Sequence, residues 1–299
     1  MLELSKDLKK IIDFIQNNKC VCLLAPSFVI DFEYSKIILN LKQIGFTKVV
    51  ELTYSAKIIS CEYHELIKKY PDKQRICSNC PSVVKFVENK YPLHKSKLIN
   101  IGSPMTIMGR FCKKEFGKDY KTIFVGPCFT KKIEAKENPN DIDLALTFKE
   151  LQDILFYLKS NNKLLKISKN KKNTCFNKFY NDYTKVYPIS GAVAKTMHTK
   201  NILTKKQVIC CETIPEIEKA IKKMEDNKNI KFMDVLFCKG GCCGGPGIIS
   251  QENINTKVKK VENYREISKD YKIGKNKGLL KYAEELNLDI RRNKNEKLN

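Results

Sequence analysis

Apolar positions along the chain follow two alternating periods. Leu4, Leu8, Ile11, Ile12 and Ile15 recur at helical spacing among charged residues, which predicts an amphipathic helix over residues 3–18. "CVCLLAP" from residue 20 then reads as a short buried strand stopped by proline. "YSKIILNLKQIG" returns to the helical period and ends at Gly45, and "FTKVVELTY" is β-branched and strand-like. Strand, helix and strand in this order predict a parallel α/β unit.

The alternation resumes after "CSNCP" with helix "SVVKFVENKY", strand "LINIGSP", helix "MTIMGRFCKKEF" and strand "KTIFVGPC". A second series follows: strand "DLALTF", helix "KELQDILFYLKS", a lysine-rich insertion at 163–176, helix "GAVAKTMHTK", strand "KQVICCE", helix "IPEIEKAIKKMED" and strand "IKFMDVLFC". The predicted class is α/β in two lobes, each a mostly parallel β-sheet flanked by helices, with a site in the cleft between them. The expected boundaries are 1–118 for the first lobe, 119–262 for the second and 263–299 for a polar helical tail.

Composition narrows the class. A chain of 299 residues that is 42% hydrophobic can bury a substantial core. No stretch approaches the roughly 20 unbroken apolar residues of a membrane span, and the charged N-terminus lacks a signal peptide's apolar centre, so a cytoplasmic protein without a membrane partner is expected. The net charge of +23 is spread along the whole length, often as Lys/Asn mixtures such as "KNKKNT". That spread reads as solvated faces rather than the concentrated patch of a nucleic-acid surface. Thirteen cysteines in such a chain are expected to be reduced, buried or metal-bound rather than a disulfide scaffold.

Three thiol-bearing loops share one grammar, a cysteine beside proline or glycine at a strand end or a helix start: "CSNCP" at 77–81, "VGPC" at 125–128 and "CKGGCCGGPG" at 238–247. Ligands of open α/β sheets sit beyond the carboxyl ends of the strands, so these loops can converge. Four thiolates without a helpful histidine suit zinc or a cubane iron-sulfur cluster. Glycines Gly240, Gly241, Gly244 and Gly245 permit the close backbone approach a cluster needs, and the wide separation of the loops points to a site assembled by the fold. Cys20, Cys22, Cys61, Cys112, Cys175, Cys210 and Cys211, most of them in periodic apolar segments, are expected in the core as small hydrophobes. Cys77 and Cys243 fit either role.

These loops resemble the catalytic domain of the FeFe hydrogenases, the di-iron enzymes that interconvert protons and hydrogen. The family signatures are of the types T-S-C-C-P-x-W, M-P-C-x-x-K-x-x-E and C-x-G-G-C-x-x-G-G. The chain carries "CSNCPSVVKFVENKYP", "VGPCFTKKIE" and "CKGGCCGGPG" in the same order, with further similarity at "LLAPSF", "LKQIGFTKVVELTYSAK", "SPM" and "SGAV". The resemblance implies that Cys80, Cys128, Cys238 and Cys242 hold the 4Fe-4S cluster of an H-cluster, with Cys242 also bridging to its di-iron subcluster. It implies that Lys131 hydrogen-bonds a cyanide ligand of the di-iron unit. Glu134 falls at the family's glutamate position, Glu62 and Glu65 match its proton-relay glutamates, and Ser103, Gly241 and Gly245 are expected to shape the pocket.

Departures from the pattern carry equal weight. Asn79 stands where the family places a proton-shuttling cysteine, and a carboxamide has no acid-base pKa near neutrality. Gly126, Val83 and Leu236 replace the motif methionine, tryptophan and methionine, altering apolar cover over the site. The expected function is a divergent hydrogenase domain that catalyses or senses reversible hydrogen oxidation. The alternative is a non-catalytic 4Fe-4S module of the redox-sensing or iron-sulfur assembly kind. With no C-x-x-C-x-x-C run present, the expected electron partner is a separate ferredoxin or another small redox protein, and H-cluster maturation proteins are the expected assembly partners.

Overall fold

Seven parallel strands form two sheets in a computed structural model that describes residues 4–177, 183–267, 285, 287–293 and 295–296. The first sheet has the order β2-β1-β4-β5, from β1 (Cys20–Leu24), β2 (Lys48–Glu51), β4 (Lys121–Gly126) and β5 (Leu144–Thr147). The second has the order β3-β7-β6, from β3 (Arg75–Ile76), β6 (Val208–Glu212) and β7 (Phe232–Leu236). Register follows the buried pattern. Leu23 of β1 lies opposite Val50 on one side and Phe124 on the other, and Cys211 of β6 lies opposite Val235 of β7.

The central strands β1, β4 and β7 bury both faces because helices cover them, as parallel sheets require, whereas the edge strand β6 is partly exposed. The helices around the first sheet include α1 (Lys6–Asn17), α2 (Tyr34–Ile44), α5 (Pro104–Phe116), α6 (Thr130–Glu137) and α7 (Phe148–Ser160). The amphipathic α1 buries Leu8, Ile12 and Ile15, and the Ser5 hydroxyl caps it by accepting from Leu8 N–H. Around the second sheet lie α3 (Thr53–Lys69), α4 (Pro81–Lys90), α9 (Ala192–Thr196) and α10 (Ile214–Asp226). A short α8 (Lys171–Thr174) sits in the lysine-rich insertion, and α11 (Ile254–Ile267) closes the described helices.

The sheets do not divide the chain at residue 118. Strand β1 hydrogen-bonds β4 from beyond that seam, and β3 hydrogen-bonds β7. A strand as apolar as "CVCLL" is fully buried along its length and needs a hydrogen-bonded neighbour on both sides, so the chain returns to it after one crossover. Two cores result, each drawing on both halves of the sequence. The expected strand "LINIGSP" makes only the isolated bridges Ile76 to Leu98 and Ile101 to Arg291, and the two-residue β3 has no periodic signal that would announce it. Strand β2 stops at Glu51 because the chain turns helical at Leu52. Most of the tail expected at 263–299 lies outside the described residues.

A buried ion pair ties the late part of the chain to the first sheet. Lys185 Nζ stands 2.6 Å from Glu51 Oε2, Tyr264 Oη donates to Glu51 Oε1 at 2.7 Å, and Lys185 also donates to Tyr264 Oη at 3.0 Å while lying 4.1 Å from its ring centroid. Glu51 caps the end of β2, Tyr264 belongs to α11, and Lys185 opens the segment that continues into Tyr187 and Pro188. Removing one partner strands a buried charge. Glu51→Ala is therefore expected to lower unfolding free energy by about 3–5 kcal/mol in urea titrations, and the paired Glu51→Leu, Lys185→Met change is expected to recover most of that loss.

Candidate functional site

The carboxyl ends of β4 and β7 and the start of α4 meet at one point, and each delivers cysteine. Cys80 is the N-cap of α4, with Pro81 in the first helical turn, and the backbone N–H groups of Val83 and Phe237 lie near enough to its sulfur to lower its proton affinity. Cys128 follows Pro127 at the end of β4, and Cys238 and Cys242 lie on the loop after β7. Backbone bonds lock the loops together: Gly247 N–H donates to Pro127 O at 2.8 Å, and Cys242 N–H donates to Pro188 O at 2.7 Å.

The glycines of the third loop serve this closure. A Cβ on Gly245 would stand 2.5 Å from Pro127 O, and one on Gly241 would stand 2.4 Å from Pro188 O, at a left-handed φ of +65°. The sequence suggested glycine for access to a cluster; the structure shows backbone pressed against backbone from neighbouring loops. Either replacement would push apart the segments that carry the thiols.

The four thiols feel one another. Burial first, then the neighbouring Cys80, Cys128 and Cys238, push the Cys242 thiol well above its ordinary range. Burial, then Cys80 and Cys128, raise Cys238 to about 11. Cys80 is raised by burial and by Cys128, against the N–H bonds from Val83 and Phe237 and the Lys131 charge that lower it. Four anions in so small a space require a cationic centre to become thiolates. Among the described residues no group of three His, Cys, Asp or Glu side chains is placed to hold a single metal ion. Four cysteine thiols on neighbouring loops are the donor type that iron-sulfur clusters take.

Beside three of these thiols lies a cavity of about 90 Å³. Cys80, Cys128 and Cys242 line it together with Pro104, Met105, Phe124 and Leu236, and Asn79, Lys131 and Tyr187 add polar groups. Lys131 Nζ pairs with Glu134 Oε2 at 2.6 Å, both side chains being about one-eighth exposed (12% and 13%). Ser103 caps α5 by accepting from Thr106 N–H at 3.4 Å, placing the following Pro104 and Met105 on the cavity wall. Glu62 and Glu65 line a separate outer groove with Lys68, Lys69 and Tyr70.

Asn79 is held from two sides by residues the sequence did not single out. Its Nδ2 donates to Tyr187 Oη at 3.2 Å and its Oδ1 accepts from Tyr63 Oη at 3.2 Å. Tyr187 continues to Ser60 at 3.5 Å and Ser60 to Thr196 at 3.1 Å, while Tyr63 bonds Ser78. Burial pushes both phenols far above neutrality. Tyr63 follows Glu62 on α3 and looks like any core aromatic in sequence, so no spacing flags it.

Of the thiols read as core hydrophobes, Cys20, Cys22, Cys112 and Cys211 are buried, Cys61 and Cys175 are half-buried, and Cys210 is exposed, because β6 is an edge strand. Cys77 is buried against Tyr63, and burial raises its thiol so far that it keeps its proton at neutrality. Cys243 is buried beside Pro188 O and raised to about 12.

Asp234 was also missed. It sits in the middle of β7 without exposure; one carboxyl oxygen accepts Ala194 N–H at 2.8 Å and the other has no partner. Burial raises its carboxyl to about 6 against the hydrogen bonds that lower it. The folded state thus binds this proton more tightly than the unfolded chain does, so the contribution of Asp234 to stability is fully present in acid and is lost as pH rises through about 6. The gap between an unfolded value of about 4 and this one is worth about 3 kcal/mol. Urea midpoints are expected to drop across that window, and Asp234→Asn is expected to flatten the drop.

The family model described as iron only hydrogenase large subunit, C-terminal domain, matches residues 18–246. Iron hydrogenase 1 of Clostridium pasteurianum is 26% identical over 279 residues, covering 76% of this chain and 47% of that protein. The cytosolic Fe-S cluster assembly factor NAR1 of Encephalitozoon cuniculi is 25% identical over 233 residues, covering 73% of this chain and 62% of that protein. The chain therefore spans about half to two-thirds of these relatives. Among solved structures, a variant of [FeFe]-hydrogenase HydA1 from Chlamydomonas reinhardtii shares the fold at a TM-score of 0.63 and 13% identity, covering 89% of this chain and 95% of that one.

Proposed function

We propose that this chain, which belongs to the family built on the C-terminal domain of iron-only hydrogenases, holds a 4Fe-4S cluster on Cys80, Cys128, Cys238 and Cys242 and a di-iron unit in the adjoining cavity. Its function in this reading is slow or signal-linked hydrogen oxidation and proton reduction. The observation that carries it is the convergence of four cysteine thiols, three of them lining a small apolar cavity that Lys131 also lines. When bound, the cubane would supply a store for one electron and the di-iron unit the metal that engages hydrogen.

The chain's residues supply the rest. Cys80, Cys128 and Cys242 border the cavity, so a group held there shares a wall with the cubane's ligands. Lys131 presents a fixed cation to any anionic ligand in a space from which apolar side chains exclude water. Pro104, Met105 and Phe124 shape that space for small ligands. Asn79, fixed by two tyrosines, holds its place without passing a proton, which makes turnover slow.

Electrons enter from an acidic small redox protein such as a ferredoxin. Phe129 and Ile133 are exposed on and beside α6, directly after Cys128, among Lys132 and Lys136. An apolar patch ringed by lysine on a chain of net charge +23 suits an acidic partner and a salt-sensitive encounter.

A second reading keeps only the cubane, as an iron-sulfur assembly or sensing module. It is favoured by the similarity to NAR1 factors and by the locked amide at Asn79. Anaerobic iron reconstitution is expected to give a brown protein with about four irons per chain, a colour that Cys128→Ser loses. Infrared bands of carbon monoxide and cyanide after treatment with maturation proteins are expected on the first reading, and their absence selects the second. In matured protein Asn79→Cys is expected to raise hydrogen turnover by about 10²-fold or more, and unchanged turnover overturns the account of the missing relay.

A further inference from the structure

Two spaces flank the Lys131–Glu134 ion pair. Lys131 lines the apolar cavity beside the thiols, whereas Glu134, three residues on along α6, lines a neighbouring cleft of about 530 Å³. The 2.6 Å contact between them therefore crosses the wall separating the two. Facing Glu134 across the cleft are Lys85 and Glu88 from α4, Glu137 from α6 itself, Asp141 from the following turn and Arg292 from the C-terminal segment. Their charges are mostly satisfied pairwise: Lys85 with Glu137, Arg292 with Glu88 at 2.9 Å, and Asp141 with Arg110 at 2.8 Å.

A second polar connection across the wall runs from Asn79 through Tyr63 to Ser78, which also lines the cleft. It consists of an amide and hydroxyls and contains no group that gains or loses a proton near neutrality. The carboxylates Glu62 and Glu65 open onto a different groove. That leaves Glu134 as the carboxylate one ion pair away from the buried centre and in reach of cleft water.

We propose that Glu134 is the proton-loading group of this site: each electron delivered to the buried centre is matched by a proton that Glu134 takes from water in the cleft. The inference rests on the reading that the four thiols hold a cubane. The balance is one electron from an external small redox protein and one proton from hydronium in the cleft. An O–H bond forms on the Glu134 carboxylate, and a water molecule remains. The added negative charge is held in a dry, low-dielectric pocket and acts on Glu134 through Lys131, whose cation it partly engages; the carboxylate then binds a proton that it lacked in the oxidised state. In the reverse direction oxidation releases that proton to the cleft.

The test needs only the cubane. The full chain is reconstituted with iron and sulfide, and the midpoint potential is titrated at several pH values with electron paramagnetic resonance as readout. The wild-type potential is expected to fall as pH rises, and Glu134→Gln is expected to lose that dependence, while Glu134→Asp keeps it. Glu134→Ala serves the same purpose if the glutamine variant folds poorly. A role confined to packing or fixed charge would shift the potential by a constant amount and leave its slope untouched. A pH-independent potential in the wild type overturns the proposal, as does a slope that survives Glu134→Gln or one abolished instead by Glu62→Gln or Asp234→Asn. Failure to form the brown cluster at all would instead sink the cubane reading, so the two outcomes are separable.

Discussion

Like charges resist being gathered in a dry space, and the site gathers four of them. On top of burial, the neighbouring sulfurs raise the proton affinity of Cys80, Cys238 and Cys242. The chain counters this with the N–H groups of Val83 and Phe237 on Cys80 and with the cation of Lys131. Those contributions are small beside the desolvation of four anions. On the proposed reading a polymetallic cation supplies the remaining compensation, and the loops keep the sulfurs together around it.

Rigidity of the surroundings follows from the same constraint. Glycines at 241 and 245 allow the third loop to press on Pro188 and Pro127. Pro188 lies three residues after Lys185, whose buried pairing with Glu51 and Tyr264 joins β2 and α11. The helix α11 thus reaches the ligand loops through a short series of contacts, although it lies beyond residues 18–246 that the family model matches. Paired buried charges give little net stability, but they define one geometry at the edge of the site.

Much of this was legible in the sequence, for identifiable reasons. Period and punctuation placed α1, α2, α7, α10 and strands β1, β4 and β7, because their apolar spacing is strong and caps or glycines mark their ends. The four thiols stood out because proline and glycine beside cysteine have no place in a periodic core. Sheet order was not legible: the pairing of β1 with β4 depends on which buried strand needs a neighbour, a non-local demand. Nor were Tyr63, Tyr187 and Asp234, since a buried tyrosine or aspartate reads as an ordinary core or surface residue until its partners are known.

The position of Asn79 shows how the remaining freedom is distributed. A residue that passes protons must exchange partners within each cycle, whereas this amide is bonded on both sides by phenols that burial keeps protonated. Between Asn79 and the outer cleft, every link through Tyr63 and Ser78 holds its hydrogen firmly. Elsewhere in the wall between cavity and cleft, Lys131 and Glu134 pair directly, one lining each space. Two routes across the wall therefore differ in kind, one a structural strut and the other a pair of ions whose balance any change of charge in the buried centre must disturb.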